Sequence, residues 1–152
     1  MTLGKAGDAW LMGYRPRPQQ AALHADRTRF KVIVAHRRFG KTVFAILQLL
    51  LGAMGSKRPA LRYAYVAPFY RQAKAVAWDY LRHYGGRLGA RFHETELRCD
   101  LPNGARVSLY GADNPDSLRG LYLDGVVLDE YAQMDPRAWS EVIRPALADR
   151  RG

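Results

Sequence analysis

The apolar run Phe30-Lys31-Val32-Ile33-Val34 leads into Ala35-His36-Arg37-Arg38-Phe39-Gly40-Lys41-Thr42, and a second apolar stretch then continues to about Met54. The first run reads as a buried parallel strand and the stretch from Thr42 as a helix. A strand, a tight loop ending in Gly-Lys-Thr and a helix form the arrangement that cradles nucleotide phosphates, because backbone N–H groups and a helix N-terminus face the anion. Lys41 is then placed to reach the β- and γ-phosphates, and the Thr42 hydroxyl to ligate Mg²⁺. The full pattern opens with Gly, whereas Ala35 stands here, so the loop must turn at that point without the positive φ that Gly allows. Gly-Lys-Thr alone is common by chance in loops. Its setting between this strand and this helix gives it weight.

The helix after the loop, with Val43, Phe44, Ile46, Leu47, Leu49, Leu50 and Leu51, leaves little polar face and is expected beneath a sheet. Gly52, Gly55 and Pro59 are expected to end it. Upstream, Pro16 and Pro18 impose an extended segment before a helix starting near Gln19. A glutamine at that point can read an adenine edge, since its amide offers a donor and an acceptor together; a capping or solvent-facing amide is the plain alternative. Residues 1–13 read as an arm or short helix.

Downstream, Leu61 to Ala67 reads as a second strand stopped by Pro68, and Tyr70 to Tyr84 as an amphipathic helix. Its outer face carries Arg71, Lys74 and Arg82, read as solvated rather than bound to DNA phosphates. Leu97–Leu101 and Ala105–Tyr110 alternate around Pro102-Asn103-Gly104, a strong hairpin signal because Asn and Gly tolerate positive φ.

The second strong signal is Leu123-Asp124-Gly125-Val126-Val127-Leu128-Asp129-Glu130. Its apolar residues read as a buried strand that delivers two acids to its C-terminal end, where ligands sit in open α/β sheets. Asp129 is suited to hold Mg²⁺, through water, and Glu130 to polarise the water that attacks a γ-phosphate. An ordinary strand with an acidic turn is the alternative for this segment in isolation. Asp135-Pro136 then supplies a cap and first-turn proline for a helix carrying Trp139, Val142, Ile143 and Ala146.

At 152 residues and 17.2 kDa the chain has room for one domain with a real core. A net charge of +10 suggests a polyanionic partner, nucleic acid first, against the plainer reading of a solvated basic surface. Cys99 is the lone cysteine, which excludes an intrachain disulfide and fits a reducing intracellular setting. His24, His36, His83 and His93 have no metal-ligand spacing. No apolar run is long enough to cross a bilayer, and the N-terminus lacks a signal-peptide core.

The segments Tyr14 to Gln20, Val34 to Thr42, Ser117 to Gly120, Val126 to Glu130 and Ile143 to Gly152 together resemble the N-terminal ATPase domain of large terminase subunits. These are the motors that package DNA into the proheads of tailed bacteriophages. The tail Ile143-Arg144-Pro145-Ala146-Leu147-Ala148-Asp149-Arg150-Arg151-Gly152 is the most family-specific piece, and loops lacking the first Gly are usual in that family. The resemblance implies an α/β fold, a P-loop NTPase of the RecA-like/ASCE type, with a mostly parallel central sheet flanked by helices and a β-hairpin. It implies ATP and Mg²⁺ as cofactors, with Arg38, Gly40, Lys41 and Thr42 on the nucleotide and Asp129 joining Thr42 at the metal. Gln20, or Gln19 one register away, would contact adenine. Glu130 would be the catalytic carboxylate, Arg37 would stabilise the γ-phosphate, and Arg119 would act as a finger supplied to a neighbouring subunit. Implied partners are double-stranded DNA, a portal protein, a small terminase subunit and copies of the chain in a homo-oligomeric ring, in the host cytoplasm and away from membranes. Residues 1–152 would then be an ATPase domain incomplete at its C-terminus, lacking a coupling strand and a nuclease domain and leaving one sheet edge without its neighbour. A helicase-like ATPase would need a second motor domain. A folded remnant that no longer hydrolyses ATP is the alternative from outside the enzymes.

Overall fold

Alternation along one strand sorts the molecule into layers. In the computed structural model, which describes residues 13–152, strand β1 (Arg62–Ala67) runs through the middle of the sheet. It pairs in parallel with β4 (Arg106–Gly111) on one side and with β5 (Gly125–Leu128) on the other. The short strands β2 (Arg91–His93) and β3 (Arg98–Asp100) add antiparallel to the β4 side, giving the order β2-β3-β4-β1-β5. Successive side chains point to opposite faces. Tyr65 and Ala67 therefore join one core with helices α2 (Lys41–Gly55) and α3 (Tyr70–Gly86). Ala64 and Val66 join a second core with Leu118, Leu123, Ile143 and Leu147. The result is the expected α/β architecture with helices on both faces. The sheet is mixed because the Asn103-Gly104 turn, with Gly104 at φ 85°, folds β3 back on β4.

Helix α1 (Pro18–Ala25) starts one residue before Gln19, with proline at its first position. Helix α3 follows the expected periodicity, and Arg71, Lys74 and Arg82 lie exposed on it. Gly52 does not end α2, which continues to Gly55. A Cβ at Gly52 would lie 2.8 Å from Tyr63 Cε1, and one at Gly125 would lie 2.4 Å from the same atom. The two glycines form a slot that seats the Tyr63 ring between α2 and β5.

Three expectations need correction. Residues 30–34 are extended but form no ladder; Val32 is 93% and Val34 95% exposed. Their side chains alternate between solvent and the protein, as in a strand. No strand among the described residues flanks the segment to supply backbone partners. The β5 residues are only half-buried, since β5 is the outer strand of the sheet. Finally, the segment after Asp135-Pro136 opens as a wide π-type turn over Ala138–Ile143 before α4 (Arg144–Ala148). Pro145 lacks an N–H and its ring crowds the carbonyl four residues back, which regular helix geometry cannot accommodate. The wide turn lets the Arg144 N–H bond to Trp139 five residues back instead. The arm or short helix expected at the N-terminus lies, up to Met12, outside the described residues.

Candidate nucleotide site

The loop before α2 takes its left-handed turn at Gly40 (φ 78°, ψ 41°), and Ala35 is not among the residues of positive φ. The missing first glycine therefore costs this loop nothing. Between them, Arg37–Phe39 form one 3₁₀ turn, with the Arg38 N–H donating to His36 Nδ1 at 3.2 Å. Gln20, 5% exposed, ties the loop to α1: its Nε2 donates to the Phe39 carbonyl at 2.9 Å, and its Oε1 accepts from the Arg17 N–H at 2.9 Å. Arg17 Nη1 adds a bond to the Arg38 carbonyl at 2.8 Å. Two loop carbonyls are thus drawn toward α1. At the other end of the loop, the N–H groups of the first α2 turn, beginning with Lys41, have no acceptor within the helix. Lys41 is half-buried and makes no ion pair among the described residues. A phosphate would meet both the open N–H groups and the ammonium.

The acidic strand ends at the same edge. The Asp129 N–H donates to the Val66 carbonyl at 2.9 Å, which carries the β1–β5 pairing one step past Leu128. Val127 packs in the same core as Tyr65, so Asp129, two residues on, points toward that face. The Tyr65 hydroxyl donates to Asp129 Oδ2 at 2.5 Å. Burial above all, then this bond and the carboxylate's charge, push the Tyr65 phenol far up, while the Thr42 side chain acts on the same hydroxyl in the opposite direction. The same phenol is therefore hydrogen-bonded to Asp129 at the end of β5 and influenced by the Thr42 side chain at the start of α2. Glu130 then turns into the left-handed region (φ 51°, ψ 43°), with its N–H on Asp129 Oδ1 at 3.0 Å. Both Asp129 oxygens are engaged, and the Glu130 side chain is exposed.

Thr42 and Asp129 are hard oxygen donors that both act on the Tyr65 hydroxyl, and no cluster of three or more His, Cys, Asp or Glu side chains occurs among the described residues. Two protein ligands with phosphates and waters completing the shell is how Mg²⁺ is commonly held at nucleotide sites. The residues fit the ion on this ground. Of the other expected site residues, Arg37 and Arg38 are exposed on the loop, and Gln19 is exposed on α1. Gln20 is the exception, because its amide is engaged at both ends by backbone. Arg119 is exposed after the 3₁₀ turn Pro115–Ser117, with its Nε 3.4 Å from Asp116 Oδ1. Tyr65 is the participant that sequence reasoning missed: a tyrosine within an apolar strand reads as core, and only its register opposite Val127 reveals its reach.

No family model matches the chain. The large terminase subunit of Thermus phage G20c is 30% identical over 93% of this chain, which covers 33% of that protein. The large terminase subunit of Escherichia phage T5 is 30% identical over 83% of the chain, covering 29% of it. Among solved structures, the large terminase ATPase domain of Thermus phage P74-26 superposes with a TM-score of 0.87 at 26% identity, over 98% of this chain and 66% of that one. The large terminase of a thermophilic bacteriophage in complex with ADP shares the fold, with a TM-score of 0.58 at 19% identity over 76% of this chain and 29% of that one. The chain spans about a third of the length of the curated relatives it matches. In sequence over nearly all of its length, and in fold over 98% of it, the chain is similar to the large terminase subunits of bacteriophages and to their ATPase domain.

Proposed function

We propose that the chain binds ATP with Mg²⁺ and, as part of a DNA-packaging motor, hydrolyses it. The observation that carries this reading is the Tyr65 hydroxyl, which bonds Asp129 on the acidic strand while the Thr42 side chain of the phosphate loop acts on the same group. Lys41 and the open N–H groups of α2 take the β- and γ-phosphates. Thr42 and Asp129 would hold Mg²⁺, which would supply charge neutralisation at the phosphate oxygens. Glu130 accepts a proton from the water that attacks the γ-phosphorus, and ADP leaves as the bond to the bridging oxygen breaks. Arg37 and Arg38, exposed on the loop, offset charge on the transferred group. Arg119 would serve a neighbouring subunit as a finger, and Gln19, with its amide free of the Gln20 clamp, is the better placed adenine contact. Double-stranded DNA, a portal protein, a small terminase subunit and a homo-oligomeric ring follow from the family reading, as does the assignment of the chain to a motor domain.

Steady-state ATPase assays of the parent chain, Lys41→Ala and Glu130→Ala test this. Turnover in the parent and its loss in both variants is the expected result. A saturating Mg·ATP concentration, about a hundredfold above Kd, should stabilise the parent by about 2.7 kcal/mol and raise its Tm by about 5–10 °C for a domain of this size. The unpaired segment 30–34 beside the loop favours a second reading, nucleotide binding without turnover. In that case the melting shift persists while the parent is as inactive as Glu130→Ala.

A further inference from the structure

Tyr65 is fully buried in the central strand, yet its one polar atom is aimed at the carboxylate that ends the neighbouring strand. The register explains the reach. Tyr65 sits opposite Val127, and a phenol is long enough to pass along the α2 face to Asp129, two residues further on. Asp129 could otherwise rotate freely about its side-chain bonds, because Oδ1 is held only by the N–H of the adjacent Glu130. The 2.5 Å bond from Tyr65 fixes Oδ2 and therefore the plane of the carboxylate.

Resting on the nucleotide-site reading above, we infer that Tyr65 is a positioning residue for the metal: its hydroxyl, bonded to Oδ2, fixes the orientation of the Asp129 carboxylate before Mg²⁺ arrives. Donors that orient a metal-binding carboxylate commonly contribute ten- to a hundredfold in metal affinity. A phenylalanine keeps the ring and its packing and removes only the oxygen, so Tyr65→Phe isolates this role. Purely structural service would not be selective for the metal, whereas positioning would.

The test titrates Mg²⁺ against binding of a fluorescent, non-hydrolysable ATP analogue to the 152-residue chain and to Tyr65→Phe, so no turnover is read. The expected result is a half-saturating Mg²⁺ concentration raised about tenfold or more, with analogue binding in EDTA unchanged. In an Asp129→Asn background, Tyr65→Phe should add no further shift, because the group it positions has lost its charge. An unchanged Mg²⁺ requirement in Tyr65→Phe overturns the inference and leaves the nucleotide-site reading intact. Equal loss of binding with and without Mg²⁺ also overturns it, because the hydroxyl would then support the fold in general. Absence of any Mg²⁺-dependent analogue binding in the parent overturns both.

Discussion

Glu130 occupies a left-handed backbone position that a residue with a Cβ adopts at a cost of about 1–2 kcal/mol. The strain sits where the acidic strand ends, beside Asp129, and it turns the Glu130 carboxylate out to solvent. Glu130→Gly should therefore be more stable than Glu130→Ala by about 1 kcal/mol in urea unfolding, although both lack turnover; equal stability would remove the strain argument. His24 offers a second single-residue test. Gln48 Oε1 can only accept, so Nδ1 donates to it at 2.6 Å, and Nε2, 3.3 Å from the Tyr14 hydroxyl, is left as the acceptor. Burial, with the Lys31 charge adding to it and the Gln48 bond opposing, lowers the His24 pKa from 6.5. The fold thus prefers the neutral ring while the unfolded chain protonates normally. Stability should fall as pH drops below about 6.5 and stop falling once the folded ring also protonates. Melting curves between pH 7.5 and 5 check this: His24→Gln should flatten that slope, and an unchanged slope would contradict the assignment. The motif residues Lys41, Thr42, Asp129 and Glu130 stand out in the sequence as candidates because their chemistry fixes their spacing. Tyr65 and the Gln20 clamp do not, since which atom a buried polar side chain meets depends on pairings that no local pattern encodes.

The elements with a strong period were legible as well. Helices α2 and α3, strand β1 and the Asn103-Gly104 hairpin follow from apolar spacing and turn chemistry. Residues 30–34 show where that logic stops. An apolar run says that a strand is favourable, but not which neighbour supplies its hydrogen bonds. With Val32 and Val34 in solvent, Val32→Lys should change unfolding free energy by no more than about 0.5 kcal/mol and should reduce association seen by light scattering, since exposed apolar extended segments are templates for pairing. A loss of about 2 kcal/mol or more would mean instead that the segment is a buried strand. The π turn at Ala138–Ile143 was illegible for a related reason: Pro145 signals a break, and the packing of Val142, Ile143 and Leu147 decides that the helix widens rather than ends.

For the molecule as a whole, the +10 charge has its consequence in binding to polyanions rather than in the fold. If double-stranded DNA is a partner, log affinity should fall linearly with log salt, by about 0.9 for each phosphate neutralised. Fluorescence anisotropy against a random-sequence duplex reads this slope, and tight binding that ignores salt would contradict the electrostatic account. Among the described residues, no helix is long and apolar enough to cross a membrane. The deeper claim is that the start of α2 and the end of β5 serve one triphosphate. Calorimetric titration of ATP into the parent, Lys41→Ala and Asp129→Ala, each with Mg²⁺ and in EDTA, tests it most directly. Lys41→Ala should lose binding under both conditions, whereas Asp129→Ala should lose only the increment that Mg²⁺ adds. Full Mg²⁺ dependence in Asp129→Ala, or no heat from the parent at millimolar nucleotide, would mean that the two edges do not share a ligand.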